Sequence, residues 1–454
     1  MKPLQKFVEG PLAPWLLGLF SAVLRFAPGR FPADYDEGVY LSASRALASG
    51  LLPYRDFVFV HPPGVVLWLL PATWLTPDVM LLVARVASVL VGSLSIVLLA
   101  RVIGGLPGLA AGLVWATRWE AMAADRGVFL EPLMICAGLA ALFMSQRRAW
   151  LVAGALLGLS FVFKSWGVFW ALLLVLSAPD WKSRSRLIIG AVLTAAVVLA
   201  PFAVLAGFGS FIEQTLQVHL RRPPDGDLER LVRLREMFVS HSLAGTLLLI
   251  AVTPFMWFSP LRRLGFSALA VAALVVLALT TAAAYWNQYN SALACFVAVV
   301  IGVGLDGASR RLSNWVLLAA VVVAAVWFPA AIERPGSRVA QRAVADQLRG
   351  LSGQVCAFEN YELLIADLSP ARAGLIDSYG QQMLEATRDG ARFTSMAEAF
   401  ASEASQRSLR RQLGQCDYLR TGWRGEAQMN AGTKSLVKAL FEPAGEGLFK
   451  RRAR

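Results

Sequence analysis

Long apolar runs recur from residue 11 to residue 331, and they limit what this chain can become more than any other feature. They fall near 11–28, 79–101, 104–119, 128–146, 150–163, 165–178, 187–207, 242–259, 266–284, 290–308 and 313–331. A bilayer core of roughly 30 Å is crossed by about 20 helical residues. Of the 454 residues 57% are hydrophobic and only 16% charged, against roughly 25% charged in an ordinary soluble domain. A soluble surface of this size needs more polar cover than that. The expectation is an all-α polytopic membrane protein of eleven spans. A soluble enzyme, a fibre and a disordered chain are excluded.

The net charge of +13 would suggest nucleic acid in a soluble protein. Here the excess sits in short pairs between apolar runs, such as Arg147-Arg148, Arg262-Arg263 and Arg310-Arg311, as in loops retained on the cytoplasmic side. No nucleic-acid partner is expected. With the N-terminus inside on an uncleaved first span, Arg101 and the cluster Lys182, Arg184 and Arg186 also fall inside. The outward segments are then 29–78, 120–127, 208–241, 285–289 and everything after about 332. Loop 208–241 mixes Arg221, Arg222, Arg230, Arg233 and Arg235 with Glu213, Asp225, Asp227, Glu229 and Glu236. Its first two arginines could meet a lipid phosphate or anionic headgroups. At 1.5 Å per residue, 62–75 is too short to span, so it is expected as a helix at the outer interface. The stretch 150–178 is expected as two short spans meeting at Lys164.

The composition changes after Phe328. Residues 1–332 are expected as the transmembrane domain, and the charged segment 333–454 as a small extracytoplasmic α/β domain. Short strands are expected at Gln354–Phe358, Gly374–Ile376 and Asp417–Arg420, with helices at Tyr361–Leu368, Ser395–Leu413 and Lys434–Phe441 from helical apolar spacing. Cys356 and Cys416 each open an expected strand, and an oxidising compartment would permit a disulfide. Cys136 and Cys295 lie in spans and read as packing residues.

The stretch most able to carry chemistry is Asp34-Tyr-Asp36-Glu37-Gly-Val-Tyr40, continuing through Pro53-Tyr54-Arg55-Asp56 to His61-Pro62-Pro63-Gly64. Three carboxylates within four residues repel one another unless cations or a metal lie close. One reading is a solvated loop in which Asp36 caps a helix running through Ser44. The other is a working acid at the outer membrane surface. Lys164, between two short spans, is costly unless it faces water, a carboxylate or a phosphate; it could also snorkel to the surface. Arg55 and Arg126 suit phosphate, since a guanidinium matches two phosphate oxygens, and each could instead pair with Asp56 or Asp125. Glu131 reads as a second working carboxylate or as the start of a helix before Pro132. His61, His219 and His241 are far apart in sequence, so no metal site is expected, although a divalent ion stays an alternative. No Walker A pattern, His-Glu-x-x-His or dinucleotide fingerprint is present.

The Asp36-Glu37 pair in the first outward loop, His61-Pro-Pro-Gly opening an interfacial helix, and Arg85 entering the next span together resemble the GT-C glycosyltransferases. The similar branch holds the protein O-mannosyltransferases and the aminoarabinose transferases of lipid A. Three further pieces resemble that family in order: Asp125-Arg126-Gly-Val-Phe-Leu-Glu131-Pro132, the glycine-patterned span from Gly154 to Lys164, and Tyr285-Trp286-Asn287-Gln288-Tyr289. The resemblance covers about residues 1–330 and implies a GT-C fold. It also implies a sugar donor on polyprenyl phosphate and an acceptor (glycan, lipid or protein) of the cell envelope. Asp36 would be the base of a single inverting displacement, with Glu37 orienting the acceptor or its loop. Arg55, His61, Arg126, Glu131, Lys164, Tyr285 and Gln288 would contact the donor phosphate or substrate. Phosphate already leaves well, so no protein acid is required; no cofactor is implied either. His61 stands where some relatives carry a basic or polar residue, and the lysine of the lipid A branch is absent there. Two rivals come from other classes: a secondary transporter or lipid flippase, whose site would lie near the midplane of internal repeats, and a receptor whose outer domain binds glycan.

Overall fold

The computed structural model describes residues 10–26, 32–225, 229–240, 242–312, 317–318, 321–322, 338–368 and 375–452. The expected span at 313–331 (apart from 317–318 and 321–322), together with Asp227, His241 and Gly374, lies outside the described residues. Among them, four helices are long and apolar enough to cross a membrane: Pro77–Ile103, Trp181–Ala206, Arg262–Thr281 and Asn287–Ser309. Two bent pairs also qualify together: Trp119–Arg126 with Leu130–Gln146, and Arg230–Ser240 with Leu243–Phe258. Shorter apolar helices run over Ala13–Arg25, Gly105–Ala116, Trp150–Phe163 and Gly167–Ser177. The chain is a multi-pass helical membrane protein, and these helices follow the apolar runs closely.

By its contacts the chain forms two units: 1–28, 85–198 and 227–334 make one, and 29–84, 199–226 and 335–454 make the other. The second unit gathers residues 29–84 and part of loop 208–241 with the C-terminal residues.

In the first unit, helix Asn290–Ser309 is apolar on all sides and packs on Gly105–Ala116, Leu243–Val252, Thr253–Phe258 and Arg262–Thr281. A helix apolar all round belongs in the centre of a bundle, and 94% of its spanning window is buried. Trp181–Ala206 is the opposite case, with 17% buried, as suits a lipid-facing span. Between apolar helices in lipid, association rests on close packing. Gly154 and Gly158 supply it: a Cβ at either would strike the backbone of Leu187 or Ala191. The expected break at Lys164 is present, because Lys164 adopts an extended backbone between Trp150–Phe163 and Gly167–Ser177.

The second unit holds a four-stranded sheet in the order β1-β2-β4-β3, with β1 Val355–Ala357, β2 Tyr418–Arg420, β3 Phe441–Gly445 and β4 Leu448–Arg451. β1 and β2 are parallel, with Cys356 opposite Leu419; β4 is antiparallel to both of its neighbours. Cys356 and Cys416 form a disulfide with Cα atoms 5.8 Å apart. It lies in a core with Phe358, Leu375, Leu409, Leu419 and Phe441.

Two expectations are corrected here, and one element is new. Leu375 and Ile376 form no strand, because the chain turns there into helix Ser378–Thr387, whose cap is Asp377, accepting from the Gly380 amide. The helix expected over Ser395–Leu413 breaks at Ser402, whose hydroxyl caps Glu403–Leu413. The hairpin β3–β4 was not expected. It follows directly from helix Ala431–Leu440, and Pro443 lies on the outermost strand, where a missing amide donor is tolerated. The interfacial segment is helical over Gly64–Leu69 with a 3-10 turn at Leu70–Ala72.

Candidate active site

In the second unit, helix Tyr35–Ala48 opens on the acidic cluster. Its cap is Asp34 and not Asp36: the Asp34 side chain accepts from the Asp36 amide at 3.0 Å, and the Glu37 carboxylate accepts from the Asp34 amide at 2.9 Å. This reciprocal box satisfies donors that would otherwise be orphaned at a helix start. It occupies Glu37, which is buried, and leaves Asp36 half-buried in the first turn. The helix dipole favours negative charge at that end. Gly38 allows the next contact, since a Cβ there would meet the backbone of Tyr361.

Residues of the C-terminal segment surround the helix start, and the sequence reading missed them. The Tyr35 hydroxyl donates to Asp377 at 3.0 Å and accepts from the Tyr379 amide at 3.1 Å. Arg424 lies over the Tyr35 ring at 3.9 Å and reaches Glu359 at 3.3 Å. Burial pushes the Glu359 carboxyl up to about 7 against the pull of Arg424. Burial also raises the Tyr35 phenol and the Asp377 carboxyl. Nothing local signals these partners, because they lie more than 300 positions away in the chain.

The loop from Pro53 to His61 is pinned at Tyr54, a non-glycine residue at φ 68°. Such a conformation costs about 1 kcal/mol or more and persists only when its surroundings hold it. Here the Tyr54 hydroxyl donates to the His61 carbonyl at 2.6 Å, while Ser210 and Gln214 donate to the Tyr54 carbonyl. Arg55 pairs with Asp56 at 2.8 Å and holds that carboxyl below its usual range. The His61 ring stacks on His219 with centroids 5.8 Å apart and meets Tyr40 edge-on. His219 Nε2 lies 2.5 Å from the Val60 carbonyl oxygen. The described residues form no metal-holding group of three or more His, Cys, Asp or Glu.

In the first unit Lys164 and Glu131 meet directly, both buried, and the Lys164 ammonium also lies 4.1 Å from the centre of the Tyr289 ring. The carboxylate partner satisfies the requirement read from the sequence. Tyr289 stands one residue beyond Gln288, whose backbone carbonyl accepts from Ser291. The Tyr285 hydroxyl accepts from the Asn290 amide at 2.6 Å. Arg126 donates to the Leu24 carbonyl at 3.0 Å. Asp125 pairs with neither Arg126 nor Arg55 but with Arg25, at 2.7 Å and fully enclosed. Arg25, at the end of the first helix, was not singled out; an arginine closing an apolar run was its one signal. A further carboxylate, Glu120, accepts from Ser242 and faces Arg118.

No family model and no curated protein matches the sequence. Solved structures do. ArnT from Cupriavidus metallidurans bound to undecaprenyl phosphate aligns with a TM-score of 0.55 at 17% identity, over 82% of this chain and 69% of that one. The same protein in the apo state aligns at 0.58 and 17%, over 81% of this chain and 90% of that one. At such identity the likeness speaks for architecture alone: this chain shares the fold of ArnT, which agrees with the GT-C fold expected from the sequence.

Proposed function

We propose that the protein is a membrane glycosyltransferase that moves a sugar from a polyprenyl-phosphate donor to an acceptor at the outer face of the cytoplasmic membrane. The observation that carries the reading is the alignment of four fifths of the chain with ArnT bound to undecaprenyl phosphate. The acidic start of helix Tyr35–Ala48, immediately after the first span, supports it. In this reading the N-terminus is cytoplasmic, the C-terminal segment is extracytoplasmic, and the acceptor is a glycan, lipid or protein of the envelope.

The chemistry assigned to Asp36 is general-base catalysis. Its carboxylate takes the proton of the acceptor hydroxyl as that oxygen bonds to the anomeric carbon and the bond from that carbon to the phosphate oxygen breaks. The electron pair leaves on the lipid phosphate, and inversion follows from the single displacement. Glu37 serves by fixing the loop through its bond to the Asp34 amide. Arg126 and Lys164, the latter steadied by Glu131, are assigned to the donor phosphate. Arg55 and His61 are assigned to substrate binding, as are Tyr285 and Gln288. The reading requires no cofactor.

The test is to incubate purified protein in lipid nanodiscs with a panel of polyprenyl-phosphate sugars and envelope acceptors, following release of free polyprenyl phosphate. Acceptor-dependent release is expected with at least one donor. Movement of intact lipid-linked sugar across the bilayer without release would establish the flippase instead.

A further inference from the structure

A cavity of about 300 Å³ lies wholly within the second unit, under the pinned Tyr54 loop, and its lining is chiefly polar. Six side chains matter: Arg55, Gln214, Asp377, Gln381, Arg388 and Gln412. Three groups of the second unit build it. The first is the outward loop, the second the segment after Leu199, and the third the helices Ser378–Thr387 and Glu403–Leu413.

The charges of this cavity are already met. Arg55 is held by Asp56, and Arg388 by Glu213 at 3.1 Å and Glu385 at 3.1 Å. Asp377 accepts from the Tyr35 hydroxyl and the Gly380 amide. Gln214 donates to the Tyr54 carbonyl and accepts from the Phe59 amide. Two amides remain. Gln381 makes only a 3.5 Å contact to Ser408, and the Gln412 side chain has no hydrogen-bond partner among the described residues. An amide offers two donors and an acceptor in one plane. A pair of them facing a neutralised, polar cavity suits a ligand whose hydroxyls both donate and accept. A cavity near 300 Å³ is at the small end of ligand sites, which span about 300–1,000 Å³, so it fits a single ring.

We propose that this cavity binds one uncharged sugar residue, held by the amides of Gln381 and Gln412. Resting on the transferase reading, that sugar belongs to the acceptor. Asp377 both lines the cavity and holds the Tyr35 hydroxyl, one position before Asp36.

The test uses the full chain in nanodiscs and saturation-transfer NMR with methyl α-mannoside, methyl β-glucoside and, as an anionic comparator, methyl β-glucuronide. Saturable binding of at least one neutral glycoside is expected. Gln412→Leu and Gln381→Leu should each weaken it about tenfold, the loss of one neutral hydrogen bond, with unchanged melting temperature. Gln412→Asn, which keeps the amide on a shorter stem, guards against a folding artefact and should weaken binding less than Gln412→Leu. No saturable binding of either neutral glycoside, binding by both leucine variants as tight as by the unsubstituted protein, or preference for the glucuronide would each overturn the proposal. Binding is read without turnover, so its failure is separate from failure of the transferase reading. Asp36→Asn should abolish transfer and leave glycoside binding intact.

Discussion

The two units differ in where they leave a carboxylate open to water. In the first, buried charge meets buried charge: Arg25 on Asp125 and Lys164 on Glu131, all between nearly inaccessible side chains. The second also buries acids against arginine, as with Glu359 on Arg424, but at the start of helix Tyr35–Ala48 Glu37 alone is buried, while Asp34 is exposed and Asp36 half-buried. An apolar bundle cannot leave a charge unmet, so its ion pairs mark what the fold requires. A base must exchange a proton with substrate and then with water, so it belongs where a carboxylate stays open. The lesson is that buried, paired acids report on folding, whereas half-buried Asp36 has the water access that the proposed base needs.

Breaking one partner of a buried pair sharpens this contrast most. Lys164→Met leaves the Glu131 carboxylate buried and unpaired, which costs about 3–5 kcal/mol. Thermal melting in nanodiscs should show a large loss, and the double variant Lys164→Met with Glu131→Gln should recover most of it. Next comes the disulfide. Cys356→Ser with Cys416→Ser opens a crosslink between residues 60 positions apart and should cost about 2–4 kcal/mol, read as early proteolysis confined to the C-terminal segment. Smaller still is the helix start: Asp34→Ala removes the cap for about 1 kcal/mol and should raise hydrogen exchange over residues 35–38.

A pH slope tests the second unit separately. The Glu359 carboxyl sits at about 7 against an ordinary 4.5, so between those values the folded chain binds more protons than the unfolded one. Stability from this group is then full below about 4.5 and is lost as pH rises through 7. Melting of the second unit should fall across that window, and Glu359→Gln should flatten the slope.

What could be read in advance divides along the same line. The spans were legible because the bilayer demands about 20 apolar residues for each crossing, and the break at Lys164 because Lys164-Ser165-Trp166-Gly167 interrupts an apolar run. Pairings were not. Arg25 with Asp125 and Arg424 with Tyr35 are set by tertiary approach, and no local pattern records which cation meets which acid. Asp34 rather than Asp36 became the cap because the capping box needs its glutamate three residues later, and only Asp34 has Glu37 there. The hairpin Phe441–Arg451 was hidden by Pro443 and by an exposed face without apolar alternation.

The most direct test of the account is the rate of polyprenyl phosphate release by Asp36→Asn against the unsubstituted protein, with lipid binding and melting measured on the same samples. Loss of a general base removes about 10²–10⁴-fold in rate. The account predicts a fall of that size with lipid binding and melting unchanged. Release at the unsubstituted rate would contradict it.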